Sequence, residues 1–208
     1  MSDHVTILRD RIIECCLPEM GTRGWRWSVV EAAAQSCGVA DGTARSLFPN
    51  GLVDVVAHFS DYTDRAMLTA LKKIPYDALR TRERIRAAVL ERLHILESHK
   101  EAVRHAMGFW ALPPHVIQGQ RVLWRTADKI WNWAGDTATD YSRQTKRASL
   151  CSILLGTNMV WVTDESERHM VTEAFLDRRL ENVMEIGRAI GTMKKVVPNI
   201  FRQANRTS

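Results

Sequence analysis

Apolar residues recur at every third or fourth position through nearly the whole chain, and this spacing constrains the fold more than any other feature. Residues 3–19 show the pattern first, with Val5, Leu8, Ile12 and Cys16 on one helical face. No long segment alternates apolar and polar residues as a half-buried β-strand does. The pattern therefore predicts an all-α protein of about ten helices.

Glycine and proline interrupt the pattern and separate the predicted helices. Pro18, Pro75 and the pair Pro113-Pro114 each fall near a predicted helix end. In chain order, the predicted helices occupy residues 3–19, 27–36, 42–47, 52–74, 80–98, 99–112, 115–134, 140–162 and 166–193, followed by a short helix after Pro198.

The excess positive charge lies at the carboxyl end of the chain. The formal net charge of the whole sequence is +5. Five cations and no acid follow Glu185, namely Arg188, Lys194, Lys195, Arg202 and Arg206. Any property that needs positive charge therefore depends on this tail.

Residues 194–208 mix these cations with apolar side chains, as a helix on a membrane surface does. Each cation near an anionic lipid surface contributes about 1 kcal/mol, and Ile and Phe insert at the interface. The alternative is a frayed basic terminus. We interpret the tail as a basic amphipathic membrane contact formed by Lys194, Lys195, Val197, Ile200, Phe201 and Arg202.

The sequence contains no run near the roughly 20 apolar residues of a transmembrane helix. Its start, MSDHVTILRDRIIECC, lacks the layout of a signal peptide. The expected location is therefore cytoplasmic, peripheral on the inner membrane.

Catalytic motifs are scarce in this sequence. It has no glycine-rich phosphate loop, no nucleophile elbow and no two Glu-x-x-His pairs, which a di-iron site needs. His94, His99 and His105 are spaced too unevenly to share a helix face. Three acids at predicted helix boundaries are interpreted as caps of backbone N–H groups, namely Asp136, Asp140 and Asp164. We therefore predict that this protein is not an enzyme and that it has no catalytic residue, no metal and no cofactor.

Residues 23–59 have the order of a helix–turn–helix head, with two short predicted helices around Gly38-Val39 and a long third helix. With Gly42-Thr43 and Phe48-Pro49, this order resembles the tetracycline-repressor family. The resemblance implies a repressor-like fold, with a helix–turn–helix-like amino-terminal head and a helical ligand-binding body. A ligand-responsive transcriptional regulator is therefore one functional hypothesis.

The charge of the head argues against binding to DNA. Its first 60 residues hold five arginines and seven acids, a net charge of −2. The candidate recognition helix, Asp41 to Phe48, contains one cation, Arg45. A protein that reads DNA needs cations on this helix and its flanks to meet the phosphates. We therefore predict no nucleic-acid partner.

Further motifs resemble those of the ubiquinone-biosynthesis protein family called Coq-nine, over about Arg23 to Gly191. The AGD-x-x-TD segment is the most specific of them. The matching segments are Arg23-Gly24-Trp25, Leu47 to Gly51, His58-Phe59, Leu112-Pro113, Trp131 to Asp140 and Thr145 to Ala148.

This resemblance implies a repressor-like fold that binds an isoprenoid lipid or quinone intermediate instead of DNA. It implies a non-catalytic accessory protein that offers the quinone to a partner, the di-iron demethoxyubiquinone hydroxylase. It also implies a carboxyl-terminal amphipathic helix on the membrane surface and a homodimer through the last two long helices. The corresponding division of the chain is a head over residues 1–60, a lipid-binding body over 61–193 and the tail over 194–208.

A polyprenyl chain has almost no polar groups, so its site needs mainly an apolar cavity between helices. The expected lipid-binding residues are Leu93, Leu96, Met107, Trp110, Leu112, Trp131, Leu154 and Leu155. The alternative for each is ordinary core packing, because apolar helical stripes usually form the core.

The motif match places the partner-binding patch at Ile130, Asp140, Arg143 and Gln144. Other members of the family commonly have a Trp-Tyr pair where this chain has Arg143-Gln144. Aromatic residues are the usual anchors of an interface, so this difference bears on the predicted contact.

Overall fold

The computed structural model describes residues 2–40, 42–137 and 141–183, and these residues include eight α-helices with given bounds. They are α1 (Ser2–Arg23), α2 (Trp27–Ser36), α3 (Thr43–Leu47), α4 (Leu52–Leu71), α5 (Thr81–Leu96), α6 (Lys100–Ala111), α7 (Val116–Trp133) and α8 (Tyr141–Trp161). Residues 170–183 are also helical and are called α9.

The all-α prediction is confirmed, and no strand occurs within the described ranges. The predicted count of about ten helices is slightly off, since the described residues contain α1 to α9. The predicted helix after Pro198 lies outside the part of the chain that the structure describes. Most predicted bounds agree with the observed ones within a few residues, because glycines and prolines mark most helix ends.

Helix α1 extends further than predicted, because it passes through Pro18 and ends at Arg23. Leu17 and Met20, on either side of this proline, are buried. A proline inside a helix removes one backbone hydrogen bond. Burial of the flanking apolar side chains offsets that loss, so the helix continues.

The buried apolar residues form two clusters, and α4 contributes to both. Val55 and Phe59 belong to the first cluster, together with residues of α1, α2 and α3. Met67 and Leu71 belong to the second cluster, together with residues of α5, α7, α8 and α9. The predicted head boundary at residue 60 therefore falls within α4.

Trp25 connects the head to the body of the protein. Its indole Nε1 donates a hydrogen bond of 2.9 Å to the backbone oxygen of Ala102 in α6. Its ring lies 5.2 Å from that of Phe59 in α4, measured between centroids. The RGW motif therefore joins α1, α4 and α6 through one buried side chain.

Asp164 connects the end of α8 to the start of α9. Its carboxylate accepts hydrogen bonds from the backbone N–H and the hydroxyl group of both Ser166 and Thr172. Burial alone would raise the pKa of Asp164, but these hydrogen bonds hold it well below its usual range. The capping role predicted for Asp164 is confirmed by this geometry.

Asp61 on α4 shows the same balance. Burial alone would raise its pKa, but hydrogen bonds from Lys129 and Arg65 outweigh burial and lower the pKa to about 2. The folded protein therefore holds at least two carboxyl groups that resist protonation.

We expect the free energy of unfolding to fall as the pH drops from about 4 to about 2. A carboxyl group whose pKa is lower in the folded state adds stability above its unfolded pKa, near 3.9. That stability is lost as the pH falls through the folded value. Urea unfolding of the wild type and of Asp164→Asn at several pH values measures the effect. The variant should be less stable at neutral pH and less sensitive to acid, and equal pH slopes would contradict the prediction.

Candidate functional site

A cavity of about 340 Å³ lies among α4, α5, α6, α7 and α8 and is here called the interhelical cavity. Most of its wall consists of apolar side chains. Met107 and Trp110 contribute from α6, and Leu154 and Leu155 contribute from α8. The structure thus brings together four of the eight residues that the sequence suggested for lipid binding.

The mouth of the interhelical cavity carries exposed apolar side chains. Val116, Leu155 and Met159 line the cavity with exposures of 38%, 44% and 54%. Leu112 and Ile117 also belong to the α6–α7 corner and are 51% and 65% exposed. Large apolar side chains grouped at a surface are typical of a site that contacts a ligand, a lipid or another protein.

Close packing between α6 and α7 places Trp110 against the cavity. A Cβ atom built on Gly119 of α7 would lie 3.0 Å from the Cβ atom of Trp110 and 3.1 Å from its Cγ atom. A larger residue at position 119 would therefore displace the indole. Glycine at this position lets the two helices approach closely.

Part of the interhelical cavity wall is polar and buried, and this part is here called the inner end. Ser60 of α4, Arg92 of α5 and Thr126 of α7 line it. Behind them lies Asp64, whose side chain is 0% exposed and accepts hydrogen bonds from Arg92 Nε at 3.0 Å and from Thr126 Oγ1 at 2.9 Å. Lys129 Nζ lies 3.4 Å from the same carboxylate. Such a buried carboxylate needs these partners, because an unpaired buried charge is costly.

The other four predicted lipid-binding residues lie elsewhere. Leu93 and Leu96 are buried in the first apolar cluster, and Leu93 also borders a separate cavity of about 370 Å³ beside Trp161. Trp131 is buried in the second cluster, and its Nε1 donates to the backbone oxygen of Lys146 at 3.0 Å. Leu112 is exposed at the α6–α7 corner.

The predicted partner patch is divided by the structure. Ile130 is fully buried in the second apolar cluster and so has no surface to offer a partner in this structure. Arg143 and Gln144 retain exposed surface on α8, and Arg143 Nη2 donates to Asp128 Oδ1 at 2.8 Å. Asp140 lies outside the described residues.

The corner between α7 and α8 is built around Arg147, whose role sequence reasoning missed. Its side chain is 1% exposed, and Nη1 donates to Asp136 Oδ2 at 2.8 Å. Its Nη2 donates to Asn132 Oδ1 at 3.0 Å, and its Nε donates to Asp128. The available signal was the T-x-R-A motif, in which the arginine follows Asp136 of the AGD segment by 11 residues.

The AGD segment itself is explained by the same corner. Gly135 has φ of +88° and ends α7, and the backbone N–H of Asp136 donates to the oxygen of Trp131 at 3.0 Å. A Cβ atom on Gly135 would lie 2.5 Å from the hydroxyl oxygen of Tyr76. Asp136 Oδ1 forms an ion pair with Lys146 Nζ at 2.6 Å, a contact that was not predicted from the sequence.

The single cation of the candidate recognition helix is engaged within the head. Arg45 Nη2 lies 3.1 Å from the Glu31 carboxylate, and its guanidinium lies 4.9 Å from the centre of the Trp27 ring. Contact with a DNA phosphate would compete with these two interactions.

The predicted membrane-binding residues, Lys194 to Arg202, lie outside the described part of the chain. Among residues 2–40, 42–137 and 141–183, no helix combines the length and apolar character needed to span a bilayer.

Comparison with known proteins supports the resemblance predicted from the motifs. The COQ9 family model matches residues 116–187. The chain is 26% identical over 194 residues to "Ubiquinone biosynthesis protein COQ9, mitochondrial" of Homo sapiens, which covers 90% of this chain and 61% of the human protein. It is 28% identical over 191 residues to the Xenopus tropicalis protein of the same name, covering 88% of this chain and 60% of that protein. The predicted resemblance is confirmed, and the chain spans about three fifths of the length of these relatives.

The fold has a counterpart among solved structures. The crystal structure of the TetR transcriptional regulator from Nitrosomonas europaea ATCC 19718 matches with a TM-score of 0.66 and 21% sequence identity. The match covers 85% of this chain and 97% of that chain. The predicted tetracycline-repressor-like fold is therefore confirmed, and at this identity the similarity concerns the fold alone.

Proposed function

We propose that this chain binds an isoprenoid lipid or a quinone intermediate of ubiquinone biosynthesis in the interhelical cavity and catalyses no reaction itself. The observation that carries the proposal is the cavity of about 340 Å³, with its apolar wall and exposed apolar mouth. An apolar cavity between helices suits a ligand with few polar groups. The similarity to proteins named for ubiquinone biosynthesis supplies the metabolic context.

In this proposal the protein presents the membrane quinone to the di-iron demethoxyubiquinone hydroxylase. Arg143 and Gln144 on α8 supply polar surface next to the AGD corner. The buried Arg147 stabilises this corner through its ion pairs with Asp128 and Asp136. With an Arg-Gln pair on the surface, the contact relies on hydrogen bonds and charge more than on aromatic burial.

In this proposal the protein acts at the surface of the inner membrane. The apolar residues and cations of the tail, from Lys194 to Arg202, supply the contact with anionic lipid. The apolar mouth of the interhelical cavity offers a route by which a lipid leaves the bilayer. We further propose a homodimer through the last two long helices, which would give each particle two tails and strengthen reversible membrane binding.

A ligand-responsive transcriptional regulator is the second candidate function, because the fold matches that of a TetR regulator. The pairing of Arg45 with Glu31 and the net charge of the head weigh against it. A gel-shift titration at low salt discriminates the two. Tight, sequence-selective binding to duplex DNA would favour the regulator.

Extraction of the purified protein with organic solvent, followed by mass spectrometry, tests the lipid proposal. We expect a quinone or polyprenyl lipid to be recovered in near-stoichiometric amount. Titration of delipidated protein with decylubiquinone should give saturable binding. Failure of both experiments would overturn the proposed function.

Filling the cavity should abolish binding without unfolding the protein. Ala106 is 7% exposed and lines the interhelical cavity. In Ala106→Leu the larger side chain occupies ligand space, so we expect at least a tenfold loss of affinity for decylubiquinone. The melting temperature should be unchanged or higher, because cavity filling commonly adds about 0.5–2 kcal/mol.

Ala32→Leu is the matched control for this experiment. Ala32 is an exposed residue of α2 in the head and is not part of the cavity wall. Calorimetric titration should give the same affinity for this variant as for the wild type. Wild-type affinity in Ala106→Leu would show that the ligand binds elsewhere.

A further inference from the structure

The inner end of the interhelical cavity holds hydrogen-bond donors that an apolar chain alone cannot use. Ser60 and Thr126 are 9% and 2% exposed, and the Arg92 side chain is 11% exposed. All three line the cavity and are much less exposed than Leu155 and Met159, which also line it. A buried guanidinium and a buried hydroxyl group in the wall of an otherwise apolar cavity favour a ligand with oxygen acceptors at its buried end.

The hydrogen bonds already made leave part of this donor capacity unused. Arg92 Nε donates to Asp64 Oδ1 at 3.0 Å, and Nη2 donates to Ser60 Oγ at 3.3 Å. Within residues 2–40, 42–137 and 141–183, Arg92 Nη1 and the Ser60 hydroxyl hydrogen have no acceptor among the hydrogen bonds found. Thr126 donates to Asp64 and so orients the carboxylate that holds the guanidinium. Asp64 thus fixes the position of the Arg92 guanidinium, and Arg92 Nη1 stays available to a ligand.

The size of the cavity decides which part of a prenylated ring compound it can enclose. An apolar cavity of about 150 Å³ holds a benzene molecule. The interhelical cavity, at about 340 Å³, is roughly twice as large. It therefore accommodates one substituted ring and a short length of chain, and a longer isoprenoid chain must leave through the mouth.

We propose that Arg92 and Ser60 form a subsite that hydrogen-bonds the oxygen atoms of a quinone or phenol ring at the inner end of the cavity. The isoprenoid chain then leaves past Leu155 and Met159 towards the lipid phase. Asp64 and Thr126 are positioning residues, because they act by orienting Arg92. This inference rests on the proposed function and adds the direction in which the ligand binds.

Two probes with the same chain test the subsite, namely decylubiquinone and n-decylbenzene. Their chains are equal in length, but the ring of decylbenzene carries no oxygen. Calorimetric titration of the full chain should show decylubiquinone binding about tenfold or more tightly, as hydrogen bonds to a buried charged group predict. Equal affinity for the two probes would overturn the subsite and leave the lipid proposal standing. Binding of neither probe would overturn the proposed function.

Two variants assign the preference to particular residues. Ser60→Ala should lower the affinity for decylubiquinone several-fold and leave that for decylbenzene within about twofold. Asp64→Asn combined with Arg92→Met removes both charges together, so neither is left buried and unpaired. The affinity of this double variant for decylubiquinone should be about tenfold lower than that of the wild type, while its affinity for decylbenzene should not change. Equal losses of affinity for the two probes would mean that these residues have only a structural role, and this result would overturn the subsite. If the double variant fails to fold by circular dichroism, Ser60→Ala alone decides the result.

Discussion

Replacement of Arg147 with methionine is expected to lower the free energy of unfolding by about 3–5 kcal/mol. The Arg147 side chain is 1% exposed and pairs with Asp136, whose side chain is 3% exposed. Methionine keeps much of the apolar volume but leaves this buried carboxylate without its closest guanidinium. For a chain of this size, the loss corresponds to a fall in melting temperature of roughly 10 °C. Thermal and urea unfolding followed by circular dichroism measure both quantities.

Arg143→Ala provides the control for this change. Arg143 lies one helical turn earlier on α8 and also pairs with Asp128, at 2.8 Å. Its side chain is 39% exposed, so its ion pair is solvated and contributes about 1 kcal/mol or less. If Arg143→Ala lowered the free energy of unfolding as much as Arg147→Met, burial would not be what determines how much each ion pair of this corner contributes to stability. The two variants also separate roles, because Arg143→Ala should weaken the proposed hydroxylase contact while the fold stays intact.

The second large effect is expected at Asp64. Its replacement by alanine leaves the guanidinium of Arg92 buried without its carboxylate, and such a change costs about 3–5 kcal/mol. It also removes the acceptor of the Thr126 hydroxyl group, which is itself buried. We therefore expect Asp64→Ala to unfold at a clearly lower urea concentration than the wild type, with little change in the slope of the transition.

A double-mutant cycle checks the cause of this loss. In the Arg92→Met background, Asp64→Ala should cost much less, because no unpaired guanidinium remains. Glu19→Ala serves as the surface control, since its side chain and that of its partner Arg23 are each 51% exposed. Additive losses at Asp64 and Arg92 would contradict the pairing argument.

The positions of the helices were largely accessible from the sequence. The prediction for residues 27–36 coincides with α2, Trp27–Ser36, and that for 115–134 lies close to α7, Val116–Trp133. Both follow from apolar spacing and from the breakers at their ends, which are local properties. The extension of α1 through Pro18 to Arg23 was not predicted, because burial of Leu17 and Met20 depends on other helices.

The residues of the candidate site could be predicted only in part from the sequence. Leu154 and Trp131 both occupy apolar positions on their helices, yet the first lines the interhelical cavity and the second fills the core. Helical spacing identifies a buried face but not the helix it meets, so it cannot separate a cavity wall from packed core. Ile130 shows the same limit, because its motif suggested a partner contact while the structure buries it completely.

By itself, the sequence determined the all-α class, the repressor-like fold and the resemblance to the COQ9 proteins, since spacing and motifs are read along the chain. Only the tertiary structure decided where a cavity remains between helices and which charges meet within it. Arg92 and Asp64 are 28 residues apart, and Thr126 lies 62 residues from Asp64. These side chains meet because helices pack by shape at a distance in the sequence, and a buried carboxylate is stable only where such packing supplies its partners.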